Sequence, residues 1–125
     1  MDILLIDSSA IVLKKMQELL LELGCTHTIH CVSNINEPFI TIHSIQPTII
    51  VIDISMPDKI GIDILQKIKK NAPTSKLVVV TNFVTEQRKL ICMENGVDYY
   101  FDKSTEFEKV ALVIEAECKN TTCKN

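Results

Sequence analysis

Apolar residues fall along this chain in two alternating patterns: short unbroken runs, and stretches in which they recur every three or four positions. The clearest run is Ile49-Ile50-Val51-Ile52, four β-branched residues that stop at Asp53. A short unbroken apolar run suits a strand covered on both faces, as in a parallel sheet. Asp2 to Asp7 reads DILLID, a second such strand, again ending in an acid. Leu77 to Val80 is a third and closes at Thr81, while His27–Val32 and Val97–Phe101 read as shorter strands. The intervening stretches carry helical spacing. Ser8 and Ser9 can cap a helix that aligns Val12, Met16, Leu19, Leu20 and Leu23 on one face, with Gly24 as its stop. Asn34–Ile45 reads as a helix with Pro38 in its first turn. Ile62, Leu65 and Ile68 mark a helix ending before Pro73, and Thr85 opens one that runs to about Asn95 and stops at Gly96. Thr105-x-x-Glu108 is a capping box for the last helix, with Phe107, Val110, Ala111 and Ile114 turned inward.

Five strand–helix units at a spacing of roughly 25 residues define an α/β chain. Right-handed crossovers then give a doubly wound five-stranded parallel sheet with helices on both faces. The expected strand order is 2-1-3-4-5, with the ligand crevice beside the first and third strands. The expected organisation is one domain over residues 1–119, followed by a polar tail, 120–125. Composition changes this picture little: 46% of residues are hydrophobic and 23% charged, which is ordinary for a globular domain. Charge excludes more. A formal net charge of −3, with Lys and Arg scattered, offers no basic field for direct contact with nucleic acid. No apolar run approaches membrane-spanning length, and the first strand begins almost at Met1, so neither a membrane contact nor a signal peptide is expected.

Five cysteines (Cys25, Cys31, Cys92, Cys118 and Cys123) are an odd number, and no pair has C-x-x-C spacing. Zinc and iron–sulfur sites are therefore not expected, and free thiols fit a reducing cytoplasm. His27 and His30 stand three apart, which on a strand points them to opposite sides.

The strand ends carry the chemistry: Asp7, Asp53, Thr81 and Lys103. The fold brings all four to one rim. Singly, each has a plain explanation, since an acid can cap a helix, a threonine can fill a strand and a lysine is usually solvated. Together they suit phosphoryl transfer to a carboxylate. Two acids and a backbone carbonyl can hold Mg2+, Lys103 can meet phosphoryl charge, and the Thr81 hydroxyl can donate to a phosphoryl oxygen. Asp53 would be the nucleophile.

Four motifs, IDSS at 6–9, DISMP at 53–57, VTN at 80–82 and YFDK at 100–103, resemble those of the receiver domain of two-component response regulators. The resemblance covers residues 1 to about 119 and implies the flavodoxin-like arrangement of that family. It implies that Asp53 accepts a phosphoryl group from a histidine kinase or phosphotransfer protein. It further implies that Asp7, Asp53 and the Ser55 backbone carbonyl hold Mg2+, that Lys103 contacts the phosphoryl group, and that Thr81 and Tyr100 form the coupled switch. Ser55 and Phe83 would flank the path of hydrolytic water. The family usually has two adjacent acids after its first strand, whereas Ser8 stands here at the second position. A hydroxyl is a poorer Mg2+ ligand than a carboxylate, so a weaker metal site is implied. Ser104 also stands where many relatives have Pro.

The leading expectation is a cytoplasmic signalling module, catalytic only in its own phosphotransfer and dephosphorylation. It would engage a downstream protein through the fourth helix, last strand and last helix around Tyr100. The alternative is a receiver-like scaffold that binds its partner without phosphate, which Ser8 favours and Asp53, Thr81 and Lys103 oppose. A phosphatase would want a second acid two residues after the nucleophile, where Ser55 stands. Three glycines, Gly24, Gly61 and Gly96, leave no Gly-rich dinucleotide loop.

Overall fold

The computed structural model describes residues 2–22, 28–34, 38–54, 59–82 and 84–122. In chain order they form β1 (Asp2–Ile6), α1 (Ala10–Glu22), β2 (Thr28–Val32), α2 (Phe39–Ile45), β3 (Ile49–Asp53), α3 (Lys59–Asn71), β4 (Lys76–Thr81), α4 (Glu86–Glu94), β5 (Tyr99–Asp102) and α5 (Phe107–Thr122). All strand pairs are parallel and the order is β2-β1-β3-β4-β5, as the alternation predicts. Leu23, Gly24, His27, Ser55, Pro57 and Phe83, which the sequence singles out, lie outside the described residues.

Because side chains alternate along a strand, each apolar run serves two cores at once. Ile3, Leu5, Val51, Val78 and Val80 point to one face, where they meet Leu13, Met16 and Leu20 of α1 and Val110, Ala111 and Ile114 of α5. Leu4, Ile6, Ile50, Ile52, Leu77 and Val79 point to the other, against Ile42 of α2, Leu65 and Ile68 of α3 and Cys92 of α4. Every residue of β3 is buried, Asp53 included. Burial of each such aliphatic side chain contributes about 1.5–3 kcal/mol before entropy is set against it.

Several boundaries differ from those expected. The second helix starts at Phe39 rather than Asn34: Pro38 immediately precedes it, and its carbonyl accepts the first helical bond, from Ile42 N at 2.9 Å. The last strand starts at Tyr99, because Val97 and Asp98 are used in the turn. Val97 N–H closes α4 on Cys92 O (3.2 Å), and Asp98 bonds Leu77 through both its N–H and its carboxylate (2.8 Å each). Before the last helix it is Glu106, not Glu108, that folds back, closing the turn after β5: its Oε1 accepts from Asp102 N (3.1 Å) while its N–H donates to Asp102 O (2.8 Å). The last helix continues to Thr122, into the stretch read as tail. Thr85 caps α4 as expected, its Oγ1 accepting from Arg88 N at 3.1 Å. Gly96 follows with φ +89, a left-handed conformation that favours glycine.

Candidate functional site

A parallel sheet releases its strands at one edge, and there β1, β3, β4 and β5 deliver Asp7, Asp53, Thr81 and Lys103. Asp7 leaves β1 with its N–H still bonded to Val32 O (3.1 Å), and Lys103 leaves β5 with its N–H on Thr81 O (2.9 Å). Both ends are thus fixed by ladder bonds before any side-chain contact is made. The Lys103 ammonium reaches Asp53 Oδ2 at 2.8 Å and Asp7 Oδ2 at 3.0 Å. Thr81 is buried, and its hydroxyl donates to Ile54 O at 2.7 Å, on the residue after Asp53. Three of the four strand-end residues are therefore in direct contact, and the fourth is bonded to the backbone beside them.

Asp53 is 8% exposed and Asp7 7%. A cavity of about 20 Å3, room for one water, is lined by Asp7, Asp53 and Lys103 together with Met16, Val80 and Phe107. Burial in these surroundings pushes the Asp53 carboxyl up. The Lys103 hydrogen bond opposes the rise, the Asp7 charge adds to it, and the net direction is upward. For Lys103, burial pulls down, but the hydrogen bonds and charges of Asp53 and Asp7 outweigh it and hold the ammonium above the usual lysine range. The Lys103 ammonium is doubly paired, which accounts for its rise, whereas the Asp53 carboxyl rises because burial outweighs its bond to Lys103.

Asp53 Oδ1 is buried with no hydrogen-bond partner among the described residues. A buried orphan oxygen is costly unless something charged or protic meets it. Together with Asp7 it forms a pair of hard oxygen donors, which fits Mg2+. Ser8, expected as a marginal ligand, is exposed, and Ser55 lies outside the described residues. Among the described residues no group of three or more His, Cys, Asp or Glu side chains gathers as a metal cluster; His30 pairs with Asp2 at 2.9 Å instead.

Tyr100 stands on β5 opposite Val79 and is half-buried against the α2–α3–α4 core. Burial raises its hydroxyl, with Cys92 adding and Arg88 subtracting. Sequence reasoning missed how Lys103 and Asp7 are braced. Asp102 Oδ1 accepts from Ser104 N (2.9 Å) and Ser104 Oγ (2.7 Å), tightening the turn that carries Lys103, and these bonds hold the Asp102 carboxyl below the usual range. Asp7 Oδ1 accepts from Ser9 N (2.8 Å), and Ser9 Oγ accepts from Val12 N (3.3 Å) to cap α1. The signal was present as two D-x-S spacings, the signature of an Asx turn.

A five-stranded parallel sheet with two acids, a buried threonine and a lysine at one rim defines the class, and the comparisons give the family. The sequence matches the response regulator receiver domain over residues 3–115, and the chain belongs to that family. The response regulator protein VraR of Staphylococcus saprophyticus is 28% identical over 78 residues, which is 62% of this chain but 37% of that protein; the chain thus spans well under half the length of this relative. A CheY-like receiver domain protein from Methanospirillum hungatei has the same fold, with a TM-score of 0.80, 20% identity, and coverage of 99% of this chain and 98% of that one. A response regulator from Burkholderia pseudomallei, solved with a phosphorylated aspartic acid and a calcium ion, superposes with a TM-score of 0.74 at 17% identity, covering 93% and 71% of the two chains. Among the described residues no helix is long and apolar enough to cross a membrane.

Proposed function

We propose that Asp53 is the phosphoacceptor of a two-component signalling pathway, taking its phosphoryl group from the phosphohistidine of a histidine kinase or phosphotransfer protein. The observation that carries this reading is the contact of one buried carboxylate, at the end of the central strand, with a lysine it shares with a second acid. In the reaction a carboxylate oxygen of Asp53 attacks phosphorus, a P–O bond forms, and the P–N bond breaks with its electrons returning to the donor imidazole. Little covalent machinery is needed, since positioning and charge neutralisation dominate such transfers. Lys103, already bonded to Asp53, turns to the incoming phosphoryl oxygens. Thr81, whose hydroxyl donates to the carbonyl of the residue after Asp53, would exchange that bond for one to the same group. Mg2+ held by Asp7 and Asp53 would neutralise phosphoryl charge. The Burkholderia structure, with phosphoaspartate and a divalent ion, supports this by analogy of fold.

Phosphate arrival would then bias Thr81 and Tyr100, and through Tyr100 the α4–β5–α5 face that meets a downstream protein. Such a module would act in the cytoplasm. A phosphate-independent scaffold rests on Ser8 alone and is not favoured, because Asp53, Thr81 and Lys103 are retained and brought together. The test is intact mass after treatment with acetyl phosphate and Mg2+. Wild type should gain one phosphate and Asp53→Asn none; equal labelling of both would overturn the assignment.

A further inference from the structure

We propose that the Lys103 ammonium is the resting occupant of the place between Asp7 and Asp53, so that Lys103 sets this protein's affinity for Mg2+ more than the serine at position 8 does. The inference rests on reading Asp7 and Asp53 as the metal pair. It follows from assigning every carboxylate oxygen at the site. Asp7 Oδ1 is taken by Ser9 N at 2.8 Å. Asp7 Oδ2 and Asp53 Oδ2 are both taken by Lys103, at 3.0 and 2.8 Å. Among the described residues Asp53 Oδ1 has no partner. An ion held by both acids must therefore draw oxygens away from the ammonium, because Mg2+ requires near-octahedral ligands at close range and a second cation on the same oxygens would be repelled.

Lys103 does not yield easily. Its side chain is 14% exposed, its backbone N–H is fixed to Thr81 O, and the Asp102–Ser104 turn holds the loop on which it sits. Both of its bonds to the acids are charge-assisted, and such bonds are roughly twice as strong as neutral ones. Position 8 is different. Ser8 is exposed, so a carboxylate there would stay largely in water and add a ligand without removing the competitor. The order of effects is set by burial: displacing a buried cation matters more than adding an exposed anion.

The experiment is calorimetric titration of the unphosphorylated chain with MgCl2 and MnCl2 at about pH 8, where carboxylates are ionised. Lys103→Met should bind both ions about tenfold or more tightly than wild type, the scale of a charge-assisted hydrogen bond. Ser8→Asp should tighten binding by a smaller factor, and Lys103→Arg, which keeps a cation in place, should stay near wild type. A wild-type measurement stands beside the variants in case Lys103→Met fails to fold: with 15N-labelled lysine, the Lys103 Nζ resonance should move along the same saturation curve as ion binding. Equal affinities of wild type and Lys103→Met, a larger gain from Ser8→Asp, or an Nζ resonance indifferent to the ion would each overturn the proposal. Absence of divalent binding in every form would instead overturn the metal pair on which it rests.

Discussion

At Asp53 the chain accepts an energetic cost by burying a carboxylate beside a second acid. Two carboxylates and one ammonium leave the pocket with one negative charge in surplus, and burial magnifies it. The Asp53 carboxyl is raised above its ordinary value, by burial first and by Asp7 second, despite Lys103. The folded protein thus holds a proton on Asp53 more tightly than the unfolded chain does. The stability tied to that proton is complete below the ordinary carboxylate range and is lost as pH rises through the raised value. Asp53→Asn removes the charge and leaves Lys103 paired with Asp7. Its melting temperature at neutral pH should therefore exceed that of wild type by a few degrees, the scale of about 1 kcal/mol in a domain of this size. The gap should narrow as pH falls towards about 4, where an ordinary carboxyl is half-protonated. Thermal melts of both proteins across that pH range check the sign; a lower neutral-pH melting temperature for Asp53→Asn would mean that pairing with Lys103 outweighs desolvation.

At the scale of the elements, α4 leans on its ends. It is 9 residues long, its buried anchor is Cys92, and Leu90 and Met93 are left 62% and 43% exposed. With so narrow an apolar face, the Thr85 cap contributes a large share of its stability. Thr85→Ala should cost about 1 kcal/mol in urea unfolding and should speed amide exchange in α4 before other helices. Thr85 was legible in the sequence because a cap is a local feature, as were the apolar runs Ile49–Ile52 and Leu77–Val80, which are too apolar to lie anywhere but inside. The misread boundaries are set by particular turn bonds that residue type does not announce. Val97 is apolar and continues the strand pattern, yet its N–H is taken by Cys92 O and the chain turns there. Thr105 and Glu108 have capping-box spacing, but the chain is still turning there, with Glu106 bonded back to Asp102, and the helix starts at Phe107. The four strand-end residues were readable because a parallel sheet sends all such positions to one rim. The bonds that aim Lys103 and hold Asp7 were not, since they are made by serines whose spacing also fits any surface turn.

For the whole molecule, the sheet separates two cores, and the site lies where they meet the rim. β4 connects the site to the α4 side of the protein: Thr81 lies at its end, opposite Asp102, and Val79 lies two residues back, opposite Tyr100. Tyr100 packs into the same core as Cys92 of α4. A shift of Thr81 towards a phosphoryl group would change the space beside β5 in which the tyrosine ring is held. A ligand can move such an equilibrium only by interacting differently with its two states, and here the difference would come from the Thr81 hydroxyl exchanging partners. Tyr100→Ala should then separate chemistry from response. Labelling of Asp53 by acetyl phosphate should proceed as in wild type, because the reacting carboxylate is held by Lys103, whose bonds to Asp53 and Asp7 do not involve the ring. The change in α4 amide exchange on phosphorylation, present in wild type, should be lost, along with any phosphate-dependent binding of a partner to that face. Hydrogen exchange of wild type and Tyr100→Ala, each with and without acetyl phosphate and with labelling confirmed by mass, makes the comparison. An α4 response that survives in Tyr100→Ala would leave the tyrosine as a core residue and place the coupling elsewhere along β4.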